Sequence, residues 1–208
     1  MPRFKMNSSN TDAINATEGL YDPVAIGNFF VRKSLDSGWC LDIIKIMKMV
    51  FFAHGFATLL PLGRPLVKGG FQAWQYGPVP PRAYRIFRSH ITMGLFAKKP
   101  IEDPDIKKEE QRIREGSGLE EVEGVDGSDI VRLLNGVYER YHRMDPFKLS
   151  TETHEKGSPW DKTRAKNPGN YYAEFDDEDI AEYFKENHLL SEVFVRSAST
   201  TEEARSKV

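Results

Sequence analysis

Lys45-Ile46-Met47-Lys48-Met49-Val50-Phe51-Phe52-Ala53-His54-Gly55 is the most apolar stretch of the chain, and its reading decides the fold. At about 100° per residue, Lys45, Lys48 and Phe52 fall on one narrow face and Ile43, Met47, Val50 and His54 fall opposite. Nearly everything else in the stretch is apolar. A helix that is hydrophobic on most of its circumference belongs at the centre of a domain. The spacing therefore predicts a central helix over residues 41–57.

Outward from this helix the signals are mostly helical. On the N-terminal side, Asp22-Pro23 is a helix start, because Asp caps free N–H groups and Pro in the first turn loses no bond. Ile26, Phe29, Phe30 and Lys33 follow at helical spacing, and Ser37-Gly38 closes the helix. On the C-terminal side, Gly63-Arg64-Pro65 and Gly69-Gly70 punctuate the short runs Leu66-Val67 and Phe71 to Tyr76, which predicts a small hairpin between them. Gly77-Pro78-Val79-Pro80-Pro81 then breaks the chain. Pro81 opens a third helix with Tyr84 and Phe87 on one side and Arg82, Arg85 and Arg88 on the other. Residues 97–127 are rich in Glu, Asp, Lys and Gly and read as a charged, solvated excursion holding at most a short strand or helical turn. Ser128 is expected to cap a helix that buries Ile130, Leu133, Leu134, Val137, Tyr138 and Tyr141. Asp145-Pro146 starts a short helix, Pro159-Trp160 another turn, and Asp176 caps a last helix with Ile180, Tyr183 and Phe184 inward. The expected fold is mainly α: one helical domain over residues 21–195 with a small antiparallel β-hairpin or sheet. A flexible N-terminal arm (1–20) and a polar C-terminal tail (196–208) flank it.

The composition narrows the function. The chain has 208 residues, 29 basic against 31 acidic, and a formal net charge of -2. Nucleic-acid binders draw most of their affinity from a basic excess, so a nucleic-acid partner is disfavoured. The single cysteine, Cys40, makes neither an internal disulfide nor a cysteine-built zinc site, and fits a reducing compartment. Residues 1–20 lack the apolar run of a signal peptide, and no stretch nears the ~18 apolar residues of a membrane span. A cytoplasmic protein without membrane contact is the expectation.

Each candidate for chemistry meets a plainer reading. His154-Glu155 is not followed by the second histidine of a zinc-protease motif, since Ser158 stands there. His154 then reads as a structural hydrogen-bonder near Trp160. Cys40 at a helix start would gain thiolate character from the helix dipole. His54, however, is 14 residues on, about 21 Å along the axis at ~1.5 Å per residue. The two do not pair, and His54 reads as a satisfied core residue. The arginines 82, 85 and 88 read as a solvated face. In Phe71-Gln72-Ala73-Trp74-Gln75-Tyr76-Gly77-Pro78-Val79, scaffolding competes with an aromatic anchor surface, because Trp and Tyr dominate protein-binding hot spots. No phosphate loop, dinucleotide fingerprint or nucleophile elbow appears. No cofactor, metal or catalytic set is expected.

The order of these motifs resembles the Panacea-domain family, also described as GepA-like or SocA-like. The resemblance runs through Tyr21-Asp22, Ile26, Phe29-Phe30, Lys45 to Gly55, Pro65-Leu66, Ala73-Trp74-Gln75-Tyr76-Gly77-Pro78-Val79, Leu149, Thr153-His154-Glu155, Pro159-Trp160, and Ile180, Tyr183 and Phe184. Met49 stands where the family usually has leucine, and Cys40 lies outside the matched block. The resemblance implies an antitoxin: a non-enzymatic protein that neutralises a cognate toxin protein by direct contact. It also implies, for SocA-like members, delivery of the toxin to the ClpXP protease. Trp74, Tyr76, His154 and Trp160 are expected to form one functional or structural cluster. The alternatives are a nucleic-acid-binding regulator using the arginine stripe, and a Cys/His-dependent enzyme.

Overall fold

The computed structural model describes residues 19–91, 96–120 and 122–194. Of the expected arm (1–20), residues 1–18 lie outside the described residues, as does the expected tail (196–208), whereas Gly19 and Leu20 are buried and Leu20 N donates to Pro65 O at 2.9 Å. In chain order the elements are α1 (Pro23–Asp36), α2 (Ile43–Ala57), β1 (Gln72–Trp74), β2 (Gly77–Val79), α3 (Pro81–His90), α4 (Pro104–Glu115), α5 (Gly127–Tyr141), α6 (Pro146–Glu152), α7 (Pro159–Lys166) and α8 (Asp177–Asn187). The fold is mainly helical with one small two-stranded antiparallel sheet.

α2 is the axle. Asp42 caps it, its carboxylate accepting from Lys45 N at 2.8 Å, and every residue from Lys45 to Ala57 is buried. α1, α3, α5, α6, α8 and β2 all pack on it. This follows from its composition: with no polar face wide enough to meet water, the helix must be covered on all sides. The tightest approach is to α8. A methyl group on Gly55 would stand 2.1 Å from the ring of Phe184, so only glycine lets that ring reach the helix. Phe184 is fully buried against Phe51, Phe52 and Phe56, a burial worth about 1.5–3 kcal/mol.

The start signals place the helices. Asp22, Asp103, Asp126, Asp145, Ser158 and Asp176 each accept backbone N–H groups at an N-terminus, and Pro stands in the first turn after Asp22, Asp103, Asp145 and Ser158. For α5 the cap is Asp126, not Ser128. Asp126 and Asp129 form a reciprocal capping box, and the Ser128 hydroxyl itself donates to Asp126 at 2.5 Å. One oxygen of Asp126, Oδ1, accepts from the backbone N–H groups of both Ser128 and Asp129, so the cap lies two residues before Ser128. The expected apolar stripe of α5, from Ile130 to Tyr141, is buried throughout.

Two expectations differ from the structure. The hairpin does not join 66–67 to 71–76. β1 pairs with β2 in the register Gln72↔Val79, Ala73↔Pro78 and Trp74↔Gly77, across the two-residue turn Gln75-Tyr76. Gly77, at φ +96°, supplies the backbone conformation that brings the chain back. Leu66 and Val67 instead lie parallel to Leu20 and Tyr21, with Tyr21 N donating to Leu66 O and Lys68 N to Tyr21 O, both at 2.9 Å. The other edge of β1 is closed by residues 173–175: Ala73 N donates to Ala173 O at 2.8 Å and Phe175 N to Phe71 O at 3.0 Å. Pro78, which has no N–H to give a ladder, occupies the outer strand.

The charged segment over 97–127 also does more than meet solvent. It contains the three-turn helix α4, which packs on α1 and α5. Ile106 and Ile113, two turns apart, are buried, as are Leu119 and Val125. Between the isoleucines Glu110 is buried, accepting from Asn28 Nδ2 at 2.7 Å and Arg32 Nε at 2.9 Å. Asn28, fully buried in α1, also exchanges two hydrogen bonds with the Ile101 backbone. A narrow apolar stripe suffices when one helix face alone is covered, and the remaining charge lies on the solvent faces.

Candidate functional site

The four residues singled out by sequence meet at the β1–β2 turn. Trp160, in the first turn of α7, donates its indole N–H to Trp74 O at 2.8 Å. The ring nitrogens of His154 stand 2.5 Å from Ser150 O and 3.3 Å from Gln75 O, and a neutral ring donates to one of the two. The same imidazole meets Trp160 edge to face at 4.0 Å. Ser150, in α6, donates to Tyr76 O at 2.9 Å. Lys48, from α2, donates to Pro78 O at 3.0 Å. Three carbonyls of one short hairpin, Trp74 O, Tyr76 O and Pro78 O, are thus clasped by side chains from α7, α6 and α2, and His154 in the α6–α7 loop stands beside a fourth, Gln75 O. The tip is also close-packed: a methyl on Gly77 would stand 2.5 Å from Thr153 Oγ1 and 2.7 Å from Lys48 Nζ. The clasp leaves the Tyr76 side chain free, and its ring is 65% exposed.

Above the clasp lies a groove of about 570 Å³. The first two turns of α2 form its floor with Ile43, Ile44 and Met47. Trp74, Tyr76, Tyr84, Tyr171 and Tyr172 form its aromatic walls. Trp74 is held in place by edge contacts to Tyr84 (4.7 Å) and Tyr172 (5.7 Å) and by an indole bond to Gln72 Oε1 at 3.0 Å. Concave, largely apolar sites of this size suit a ligand side chain or a short peptide segment.

Both lysines of α2 are buried. Lys45 Nζ donates to His142 O at 2.9 Å, just past the end of α5. Lys48 is 2% exposed, and desolvation by the surrounding apolar groups brings its ammonium down to about 7. Lys48, Tyr84, Tyr171 and Tyr172 are parts of the site that sequence reasoning missed. The signal available for Lys48 was a lysine inside an all-apolar helical run. For Tyr84 the signal was its place beside Phe87 on the third helix, and for Tyr171 and Tyr172 only an adjacent pair after Pro168-Gly169-Asn170.

The other candidates lie apart. His54 is fully buried on α2, edge-on to Phe71 at 5.0 Å. It is a core residue but not a satisfied one: Nε2 lies 3.2 Å from Asp177 Oδ1 outside hydrogen-bond geometry, and neither ring nitrogen has a hydrogen-bond partner among the described residues. Cys40 is exposed between α1 and α2 and forms no side-chain hydrogen bond among the described residues. Arg85 and Arg88 are exposed, whereas Arg82 is tied to Asp22 at 2.6 Å. Among the described residues no helix is long and apolar enough to cross a membrane.

Residues 46–161, which carry most of α2, the hairpin, the clasp and the first turn of α7, match the family described as Antitoxin SocA-like, Panacea domain. Antitoxin SocA of Caulobacter vibrioides (strain NA1000 / CB15N) is 32% identical over 149 residues, which is 71% of this chain and 72% of that protein. No solved structure gives a significant match. The match takes in the parts that build the turn and its clasp, and the chain belongs to the Antitoxin SocA-like, Panacea-domain family.

Proposed function

We propose that the protein is the antitoxin of a bacterial or phage toxin–antitoxin system and neutralises a cognate toxin protein by direct binding. The observation that carries this reading is the likeness to Antitoxin SocA, which extends over most of both chains. The geometry supports binding rather than turnover. Trp160, Ser150 and Lys48 each donate to a carbonyl of the turn, while the aromatic rings beside them face outward. Large aromatic rings on a rigid turn are the side chains that most often anchor protein partners.

The test is co-expression and co-purification with the protein encoded beside its gene. Expected are restored growth and one stable complex on gel filtration; the absence of both rescue and co-elution overturns the proposal. Delivery of the toxin to ClpXP is the further role implied by the resemblance to SocA-like proteins. It predicts a toxin half-life in cells that lengthens when ClpXP is removed. The nucleic-acid alternative is weakened because Arg82 is spent on Asp22. It would require DNA affinity that falls steeply with salt. We read the location as cytoplasmic, where such a partner would be met.

A further inference from the structure

The clasp accounts for one of the three N–H donors on Lys48 and leaves two. Among the described residues no carboxylate lies within ion-pair distance of its Nζ, although most ion pairs elsewhere in the molecule lie on the surface, where they are needed least. The groove that Lys48 lines carries no acidic side chain at all. An ammonium held beneath an apolar surface without a counter-charge is costly, and the cost falls when a ligand brings the opposite charge. Burial holding the group near 7 is the same fact seen as a proton equilibrium. In this low-dielectric setting an arriving carboxylate gains more than it would from an exposed lysine. The rim fits the other half of such a ligand: Tyr76 and Tyr172, each 65% exposed, offer large aromatic surfaces to solvent.

We propose that the groove takes a segment of the partner protein in which a large apolar side chain stands next to a glutamate or aspartate. The apolar group lies against Trp74, Tyr84 and Tyr172, and the carboxylate pairs with Lys48 Nζ. A side-chain carboxylate suits the depth: the segment runs along the open rim while the acid reaches down to the ammonium. The inference rests on the reading that the chain binds a toxin protein, and it names the chemistry of the piece gripped.

Two measurements on the full chain test it. The first is an NMR titration, into the millimolar range, with the blocked peptide acetyl-Ala-Trp-Glu-Leu-Ala-amide and its Gln counterpart. The Glu peptide is expected to bind about tenfold or more tightly, with Trp74 and Tyr172 resonances moving, and Lys48→Met is expected to erase the difference. Equal behaviour of the two peptides, including binding of neither, overturns the proposal. The blocked termini make any preference that of a side-chain acid. The second measures affinity for the toxin encoded beside the gene, using Tyr172→Glu and Tyr172→Lys. Tyr172 is 65% exposed and both variants lose the same ring contact to Trp74, so the comparison between them isolates the charge. The Glu variant is expected to bind about tenfold or more weakly than the Lys variant, through like-charge repulsion. Equal affinities of the two, with wild-type toxin binding intact, sink the groove proposal and leave the antitoxin reading standing. Absence of wild-type binding sinks the antitoxin reading, and the peptide comparison still decides the groove.

Discussion

Replacing Lys48 by methionine should change how stability depends on pH, by an amount the structure allows to be worked out. The ammonium titrates at its ordinary 10.5 in the unfolded chain and at about 7 in the fold. Between those values the unfolded state binds more protons than the native state, so wild-type stability rises with pH across this window. The penalty of burying the charge is full below pH 7 and gone above 10.5. With this separation the penalty is about 4 kcal/mol at pH 7 and about 2 kcal/mol at pH 9. Methionine has similar length and no charge, so the variant lacks the penalty. It leaves Pro78 O without its donor, a roughly pH-independent loss of about 1–3 kcal/mol. The stability of Lys48→Met relative to wild type should therefore fall by about 2 kcal/mol between pH 7 and pH 9. Urea denaturation of both proteins at pH 7, 8 and 9 measures this, and titrations of other groups cancel in the comparison. A difference between the two that stays constant within about 0.5 kcal/mol would show that Lys48 keeps an ordinary proton affinity, and the burial argument would fail.

Trp160→Phe removes the indole donor from Trp74 O while keeping an aromatic ring against His154. It should cost about 1–2 kcal/mol in a thermal or urea melt, and a variant as stable as wild type would dissolve the clasp as a structural unit. Ile113→Ala should cost about 2–4 kcal/mol, because α4 is a packed part of the core; a loss under about 0.5 kcal/mol would restore the view that residues 97–127 are merely solvated. Gly55→Ala should destabilise by about 1–3 kcal/mol even though alanine favours helix, since its methyl would overlap the Phe184 ring. A more stable Gly55→Ala protein would refute that contact.

The helix starts were legible because they are local. Asp22-Pro23, Asp145-Pro146 and Asp176 each satisfy backbone donors two or three residues on, so a short window of sequence contains the whole argument. The central position of α2 was legible from a different cause, its lack of any polar face. The charged segment misled for the converse reason. Two isoleucines among acids and lysines look like noise until α1 and α5 supply the surface they meet. Ser128 was mistaken for a cap because Asp126, two residues earlier, starts the helix sooner, its Oδ1 accepting from the backbone of Ser128 and Asp129.

The sequence by itself determined a mainly helical domain built round one apolar helix, and a set of aromatic and histidine positions whose order resembles one family. Only the tertiary structure decided what those positions do for each other. Trp160 meets Trp74 across 86 residues of chain, Ser150 meets Tyr76 across 74, and Lys48 meets Pro78 across 30. Periodicity and capping act over one or two turns, so they fix where a helix begins and which face is apolar. They say nothing of which distant carbonyl a buried donor will find, or of a lysine left without a counter-charge beneath a ring of tyrosines. Those outcomes belong to packing, where every polar group taken out of water must find whatever partner the fold brings near.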